Sequence, residues 1–276
     1  MVRIRVMTFN IRGATYDDGI NAWKNRAELN VRTIKRHAPD LISFQEMQVD
    51  NLETYRQMMP KYGRVMGSRY NRPGRLFYNS VFWNPSRLSL MSSGGFYLSR
   101  TSGTWSSDWG AARVHAVTWA RFRFADTGEG FLLMNTHLDH KSRRARLKSS
   151  ELIMHKAADL RADGLPIIIA GDFNSPPQFS DPAIKTPHHV FSKGGCLDTH
   201  LALGNEDTKS ANTYHGFKGN QFPIDNYRFI LRIDWILTHD GHLPIRPKGH
   251  KIIRDTELPL CPSDHYPVIA DLVIGQ

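Results

Sequence analysis

The chain has 276 residues, 40% of them hydrophobic, and a formal net charge of +10. That composition supports a sizeable buried core, excludes a disordered chain, and contains no apolar run near the ~20 residues that a membrane helix needs. The basic balance, with a pI near 9.7, modestly favours phosphate-bearing partners and counts against a cationic substrate.

The opening "MVRIRVMTFN" alternates Val2, Ile4, Val6 and Thr8 against Arg3, Arg5 and Met7. This period of two predicts a strand from the start, leaves no room for a signal peptide, and implies a cytoplasmic protein. Two cysteines, Cys196 and Cys261, are too few for a disulfide framework, which agrees with that compartment and leaves room for one bridge at most. Next, "AWKNRAELNVRTIKRHAPD" sets Ala27, Val31, Ile34 and Ala38 on one helical face, and Pro39 ends the helix. A short buried strand, Leu41 to Phe44, runs directly into Gln45 and Glu46. Arg69 to Arg75 ("RYNRPGR") reads as a loop by its Pro and Gly, and "LFYNSVFW" as one strand by its aromatics.

"ARVHAVTWARFRF" puts Val114, Ala116, Thr118, Ala120, Phe122 and Phe124 on one side of a strand, joined by a hairpin to "EGFLLMNTHLDH". Ser142 to Ala162 predicts a second helix. Overlapping its start, "KSRRARLK" (Lys141 to Lys148) reads as a solvated helix face that could also guide a polyanion. Trp105, Trp109 and Trp119 read as core rather than as base-stacking platforms.

"PIIIAGDFNSPP" then gives a buried strand with a glycine before Asp172 and Asn174. Residues two apart in extended chain point the same way, so the acid and the amide would project together. The competing reading is a plain turn, since Gly, Asp, Asn, Ser and Pro are all turn residues. A Gly-rich segment precedes the strand "RFILRIDWIL", in which Asp234 needs a partner such as a histidine. The last strand, "YPVIADLVI", follows "CPSDH".

No repeat or linker interrupts the chain, so a single domain spanning residues 1–276 is expected. Many strands with two clear helices argue against an all-parallel βαβ fold and for two mixed sheets packed face to face with helices outside. Five strand ends carry polar clusters: Thr8 to Asn10, Gln45 and Glu46, Asn135 to Asp139, Asp172 to Asn174, and Ser263 to His265. Each alone has a structural explanation, but sheet edges gather strand ends into one place.

In order, "TFNIRG", "QEM", "NTHLDH", "GDFNSPP", "RIDWIL" and "SDHYPV" resemble the motif set of the endonuclease/exonuclease/phosphatase (deoxyribonuclease I-like) superfamily. The likeness spans Thr8 to Val268 and is nearest to bacterial members around the carbon catabolite repressor 4-like group. It implies a four-layered α/β sandwich, two mixed β-sheets flanked by helices, and Mg²⁺- or Mn²⁺-dependent phosphoester hydrolysis. By this resemblance Glu46, Asp264 and Asn10 hold the metal, as suits a hard cation that needs few carboxylates. Asp172 activates water, Asn10 and Asn174 bind the phosphate, and His265, oriented by Asp234, stabilises the transition state. His137 is a second phosphate contact and possible general acid, Arg113 a substrate-binding residue, and Asp139 and His140 structural.

Loops "GSRYNRPGRLFYNS", "SRTSGTWSSDWGAAR" and "ANTYHGFKGNQFPIDNYR" mix cations with aromatics, which suits nucleic acid or a nucleotide first. A small phosphorylated metabolite (sugar, inositol or lipid headgroup phosphate) is the alternative. An inactive binding protein of the same fold ranks third, because every motif residue is present.

Overall fold

In a computed structural model, residues 1–161, 164–179, 181, 183–224 and 231–275 are described. The first sheet is built from β1 (Val2–Asn10), β2 (Leu41–Gln45), β3 (Gly63–Val65), β6 (Val81–Trp83), β13 (Ile245–Ile252) and β14 (Val268–Ile274), in the order β13-β14-β1-β2-β6-β3. The second contains β7 (Leu88–Tyr97), β8 (Ala116–Phe124), β9 (Gly130–His137), β10 (Ile167–Asp172), β11 (Leu197–Asp198) and β12 (Asp234–His239), in the order β11-β12-β10-β9-β8-β7. Both sheets are mixed: β1 runs parallel to β2 and antiparallel to β14, while β10 runs parallel to β9 and antiparallel to β12.

The period-two rule explains the layering. Val2, Ile4 and Val6 of β1 and Ile168 and Ala170 of β10 belong to one core between the sheets. The opposite row of β1, Met7 and Phe9, lies in a second core with Val31 and Ile34 of helix α1 (Trp23–His37) and Tyr55 of α2 (Val49–Met58). Ile167 and Ile169 of β10 lie in a third with Ile153 and Ala157 of α3 (Arg143–Leu160) and Phe191 of α4 (Pro187–Lys193). Four layers result, helix, sheet, sheet, helix, as the motif resemblance implied. From Met7 onward both faces of β1 are covered, so Met7 and Phe9 are buried, whereas on the same outer row Arg3 is exposed and Arg5 half-buried.

Several local readings change. Residues 69–75 are no loop: β4 (Arg69–Arg72) and β5 (Arg75–Tyr78) form a hairpin whose turn carries Pro73 and Gly74. "LFYNSVFW" is two strands, because Asn79 and Ser80 pass the chain from this hairpin to the first sheet, with Asn79 Nδ2 donating to Ala116 O. Asp234 opens β12 instead of lying inside a strand. In "RFILRIDWIL" residues 231–233 are not strand, and 228–230 lie outside the described residues, as do 225–228 of the third cationic loop. Helix α3 begins after Ser142, whose hydroxyl caps it by accepting from Ala145 N; Ala162 is outside the described residues. Helices α2 and α4 and strands β7 and β13 were not legible. Trp105, Trp109 and Trp119 are half-buried, and of the three Trp119 packs against the third core. No helix among the described residues is long and apolar enough to cross a membrane.

Candidate active site

The inner rows of the sheets build the site. On β1 the row Val2, Ile4, Val6 continues to Thr8 and Asn10; on β9, Leu133 continues to Asn135 and His137. On β10, Ile168 and Ala170 lead to Asp172, and on β12 Asp234 precedes Ile236. The parallel and antiparallel pairings bring the ends of β1, β2, β9 and β10 and the beginnings of β12 and β14 to one edge of the sandwich. One apolar layer therefore becomes polar at that edge. Beneath the site, Gln45 Nε2 donates to Asn135 Oδ1 (2.8 Å) and Thr8 Oγ1 (3.1 Å), bracing one sheet against the other.

There Asn10, Glu46, Arg113, His137, His140, Asp172, Asn174, Asp264 and His265 line one cavity of ≈ 440 Å³. Asp234 stands behind His265. All the predicted site residues thus converge, and His140 joins the wall instead of serving only as a brace. Asp139 does brace: it accepts from Ala112, Lys141 and Ser142 backbone N–H groups and lies 3.3 Å from His115. Of the run 141–148, Arg146 is buried and donates to Asp139 O, whereas Lys141, Arg143, Arg144 and Lys148 are exposed.

Gly171 answers why a glycine precedes the acid. A Cβ there would lie 2.0 Å from Thr136 O, so only glycine lets β9 and β10 approach this closely. Beyond it the chain does not stay extended. Asn174 adopts φ 49°, its N–H donates to Asp172 Oδ1 (2.9 Å), and its Nδ2 donates to Leu138 O (2.8 Å). The strand reading and the turn reading of "GDFN" both hold, one on each side of Asp172. Glu46 is also left-handed, with φ 62°, a conformation costing about 1–2 kcal/mol in a non-glycine residue. Its carboxylate accepts from Gly13 N (3.1 Å) and its N–H donates to Tyr70 Oη (3.0 Å).

Tyr70 was missed because its hairpin looked like a loop. Its hydroxyl accepts from Glu46 N and lies 3.1 Å from His137 Nδ1; because the other ring nitrogen faces a carboxylate oxygen, the tautomer that suits both contacts has the tyrosine donating to Nδ1. His137 then carries its proton on Nε2, 3.4 Å from Asp172 Oδ2. His265 is fixed the other way round. Nδ1 donates to Asp234 Oδ2 (2.9 Å), and Nε2 faces Asp172 Oδ2 at 3.8 Å.

Electrostatics separate these groups. Burial and then the charge of Asp234 push Asp172 up to about 7, against His265 and a hydrogen bond from Asn10 Nδ2 (3.0 Å). Burial pulls His265 down, but Asp234 and then Asp172 carry it up to about 10. Burial, reinforced by His115 and His265, holds His137 well below its ordinary value. The site thus pairs a cationic imidazole with a neutral one. Glu46 is raised by burial and then by the charge of Asp264, with Arg12 as the main opposing cation.

Two groups of ligand-type side chains meet at the cleft. Single ligand atoms of Asp172, Asp234 and His265 lie within 4.8 Å of one another, but the His265–Asp234 hydrogen bond accounts for that spacing. Glu46 and Asp264 are two buried carboxylates that repel, which is the arrangement a hard divalent ion relieves. At the rim, Tyr16 has Arg12 over its ring at 3.6 Å and Arg75 at 4.8 Å, and Arg113 hydrogen-bonds to it.

The profile described as "Endonuclease/Exonuclease/phosphatase family" matches residues 7–265. A crystal structure of an endonuclease/exonuclease/phosphatase from Bacteroides vulgatus is 25% identical, with 99% of this chain and 100% of that one covered and a TM-score of 0.84. The Bacteroides thetaiotaomicron mannosyl-6-phosphatase Bt3783 is 26% identical, covering 98% and 99% of the two chains at a TM-score of 0.83. Protein angel of Drosophila melanogaster is 25% identical over 266 residues, 89% of this chain and 70% of its own length. Sharing the family's motifs in order, its two-sheet sandwich and the polar cleft at one edge of it, the chain belongs to the endonuclease/exonuclease/phosphatase family.

Proposed function

We propose that this chain is a divalent-cation-dependent phosphohydrolase that directs water onto a phosphoryl centre held in the cleft. The observation that carries this reading is the meeting of a near-neutral carboxyl, Asp172, with an Asp-backed cationic imidazole, His265, beside the Glu46 and Asp264 pair. Asp172, pushed up to about 7, is matched to accept a proton from water near neutral pH. His265 presents Nε2–H to a phosphoryl oxygen and stabilises the charge that grows there. His137, neutral and protonated on Nε2, serves as a second donor rather than as the general acid. Asn10 and Asn174 each spend one amide hydrogen inside the protein, on Asp172 and on Leu138 O, and keep a second for the phosphate.

Glu46 and Asp264 would hold Mg²⁺ or Mn²⁺, with Asn10 beside them, and the ion would supply charge stabilisation on the phosphoryl oxygens. The left-handed placement of Glu46, tied by Tyr70 and Gly13, is the kind of strain that positions a ligand.

For substrate, the cleft volume of ≈ 440 Å³ suits a sugar phosphate or mononucleotide, and a bacterial sugar phosphatase shares the fold over nearly its full length. We therefore place a small phosphorylated molecule first and a nucleic acid strand second. The second reading is favoured by the net charge of +10 and the arginine-and-aromatic rim. With both cysteines unpaired and buried, we assign the protein to the cytoplasm. A panel of sugar phosphates, mononucleotides, inositol phosphates, single-stranded DNA and poly(A), assayed with Mg²⁺, tests this choice. Turnover of the small esters with a salt-insensitive KM is expected. Preference for the polymers, with KM rising steeply with salt, would reverse the order.

A further inference from the structure

Away from the cleft, edge strands of the two sheets come together: β13 ends one sheet, β11 ends the other, and the turn after β11 packs on β13. There His200 and His250 stand ring to ring, centroids 4.9 Å apart at 68°. Each ring has one nitrogen committed. His200 Nε2 lies 3.1 Å from the carbonyl of Glu206, which only accepts, so Nε2 carries the proton. His250 Nδ1 lies 2.9 Å from Thr199 Oγ1, whose single proton goes to the carbonyl of Ile236 at 2.9 Å, so Nδ1 donates as well.

The remaining nitrogens, His200 Nδ1 and His250 Nε2, are therefore lone-pair acceptors in the neutral rings. Both are buried, and neither has a hydrogen-bond partner among the described residues. Burial and then its neighbour His200 press His250 down to about 3, so that ring is neutral. Both residues border a cavity of ≈ 470 Å³ that is also lined by Glu206, Thr208 and Ser210. The nearby cations are already committed. Arg232 pairs with Asp198 and Asp207, and Arg254 donates to Ser210 O and Asn212 O and lies over the Tyr266 ring.

We propose that His200 Nδ1 and His250 Nε2 bind a divalent transition ion of the zinc type, with water completing its shell. Two imidazole lone pairs, each with the far N–H anchored on a fixed oxygen, are how proteins orient histidine ligands. Nitrogen donors select zinc, copper or nickel over magnesium. Such an ion ties an edge of one sheet to an edge of the other and is independent of the phosphoryl cleft.

The test is a crystal of the wild-type protein soaked in ZnCl₂, with diffraction recorded at the zinc edge. An anomalous peak between the two rings is expected; its absence, with a water bridging both nitrogens, overturns the proposal. In parallel, equilibrium dialysis against Zn²⁺ in excess Mg²⁺ should show affinity falling about 10–100-fold or more in His200→Gln and in His250→Gln. Unchanged affinity in both variants would equally overturn it, and the soaked wild-type crystal decides if neither variant folds.

Discussion

Replacing Asp234 by Asn removes one charge and little volume, and its consequence can be worked from the geometry. Asp234 Oδ2 accepts from His265 Nδ1 at 2.9 Å in a site where both residues are buried. At an effective dielectric near 20, a charge pair at that separation is worth about 6 kcal/mol, or roughly four decades of proton affinity. That attraction is the largest of those that lift His265 to about 10 against burial, Asp172 adding to it. Without it, burial is opposed only by the charges of Asp172 and Asp264, so the folded-state value falls and the imidazolium is lost at a lower pH than in the wild type. If His265 donates to the phosphoryl group, losing that charged donor should lower kcat by about 10²–10³ at pH 8. The assay is hydrolysis of p-nitrophenyl phosphate and its bis ester with Mg²⁺ across pH 5–9, alongside NMR of the His265 ring. The wild-type imidazolium should persist to near pH 10, and the variant should recover activity as pH falls. A variant within threefold of wild type and flat with pH would refute the reasoning.

Tyr70→Phe should cost about 1–3 kcal/mol in urea unfolding, because Glu46 N–H and His137 Nδ1 lose their common partner. It should also lower kcat/KM about 10–100-fold, the range seen when a supporting hydrogen bond is removed; an unchanged rate would make Tyr70 a packing residue only. Asp198 is held well below the carboxylate range: burial raises it, but His188 and Arg232 outweigh that. A depressed folded value stabilises above the unfolded pKa near 3.9 and is lost as pH falls through the folded value. Asp198→Asn should therefore cost about 3–5 kcal/mol above pH ~5, with the gap to wild type closing below pH ~4. A gap independent of pH would show that the carboxylate charge is not what matters.

The candidate site was legible because it lies at strand ends, where an apolar run meets polar residues that the sheet then collects. Asn10, Glu46, His137, Asp172 and His265 all have that signature. Asp234 was legible through its cost: a carboxylate among Ile233, Trp235 and Ile236 must be paired. What escaped depends on tertiary contact. Pro73 and Gly74 are turn residues in a loop and in a hairpin alike, so β4, β5 and Tyr70 could not be told from a loop. β7, with Ser92, Ser93, Gly94 and Gly95, lacks strand propensity and holds through its pairing with β8. His115 gave no sign of bracing Asp139 because that pairing crosses from the start of one strand to the end of another. His200 and His250 are 50 residues apart and meet only when the two sheet edges do.

The most direct measurement is a Mg²⁺ titration of phosphoester hydrolysis after chelator stripping, comparing the wild-type protein with Glu46→Gln. Loss of turnover on stripping, its return with Mg²⁺ or Mn²⁺, and a half-saturating Mg²⁺ concentration raised about tenfold or more in the folded variant are predicted. A stripped enzyme that turns over at the original rate, or a variant that titrates like the wild type, would contradict the assignment of Glu46 and of the cleft it lines.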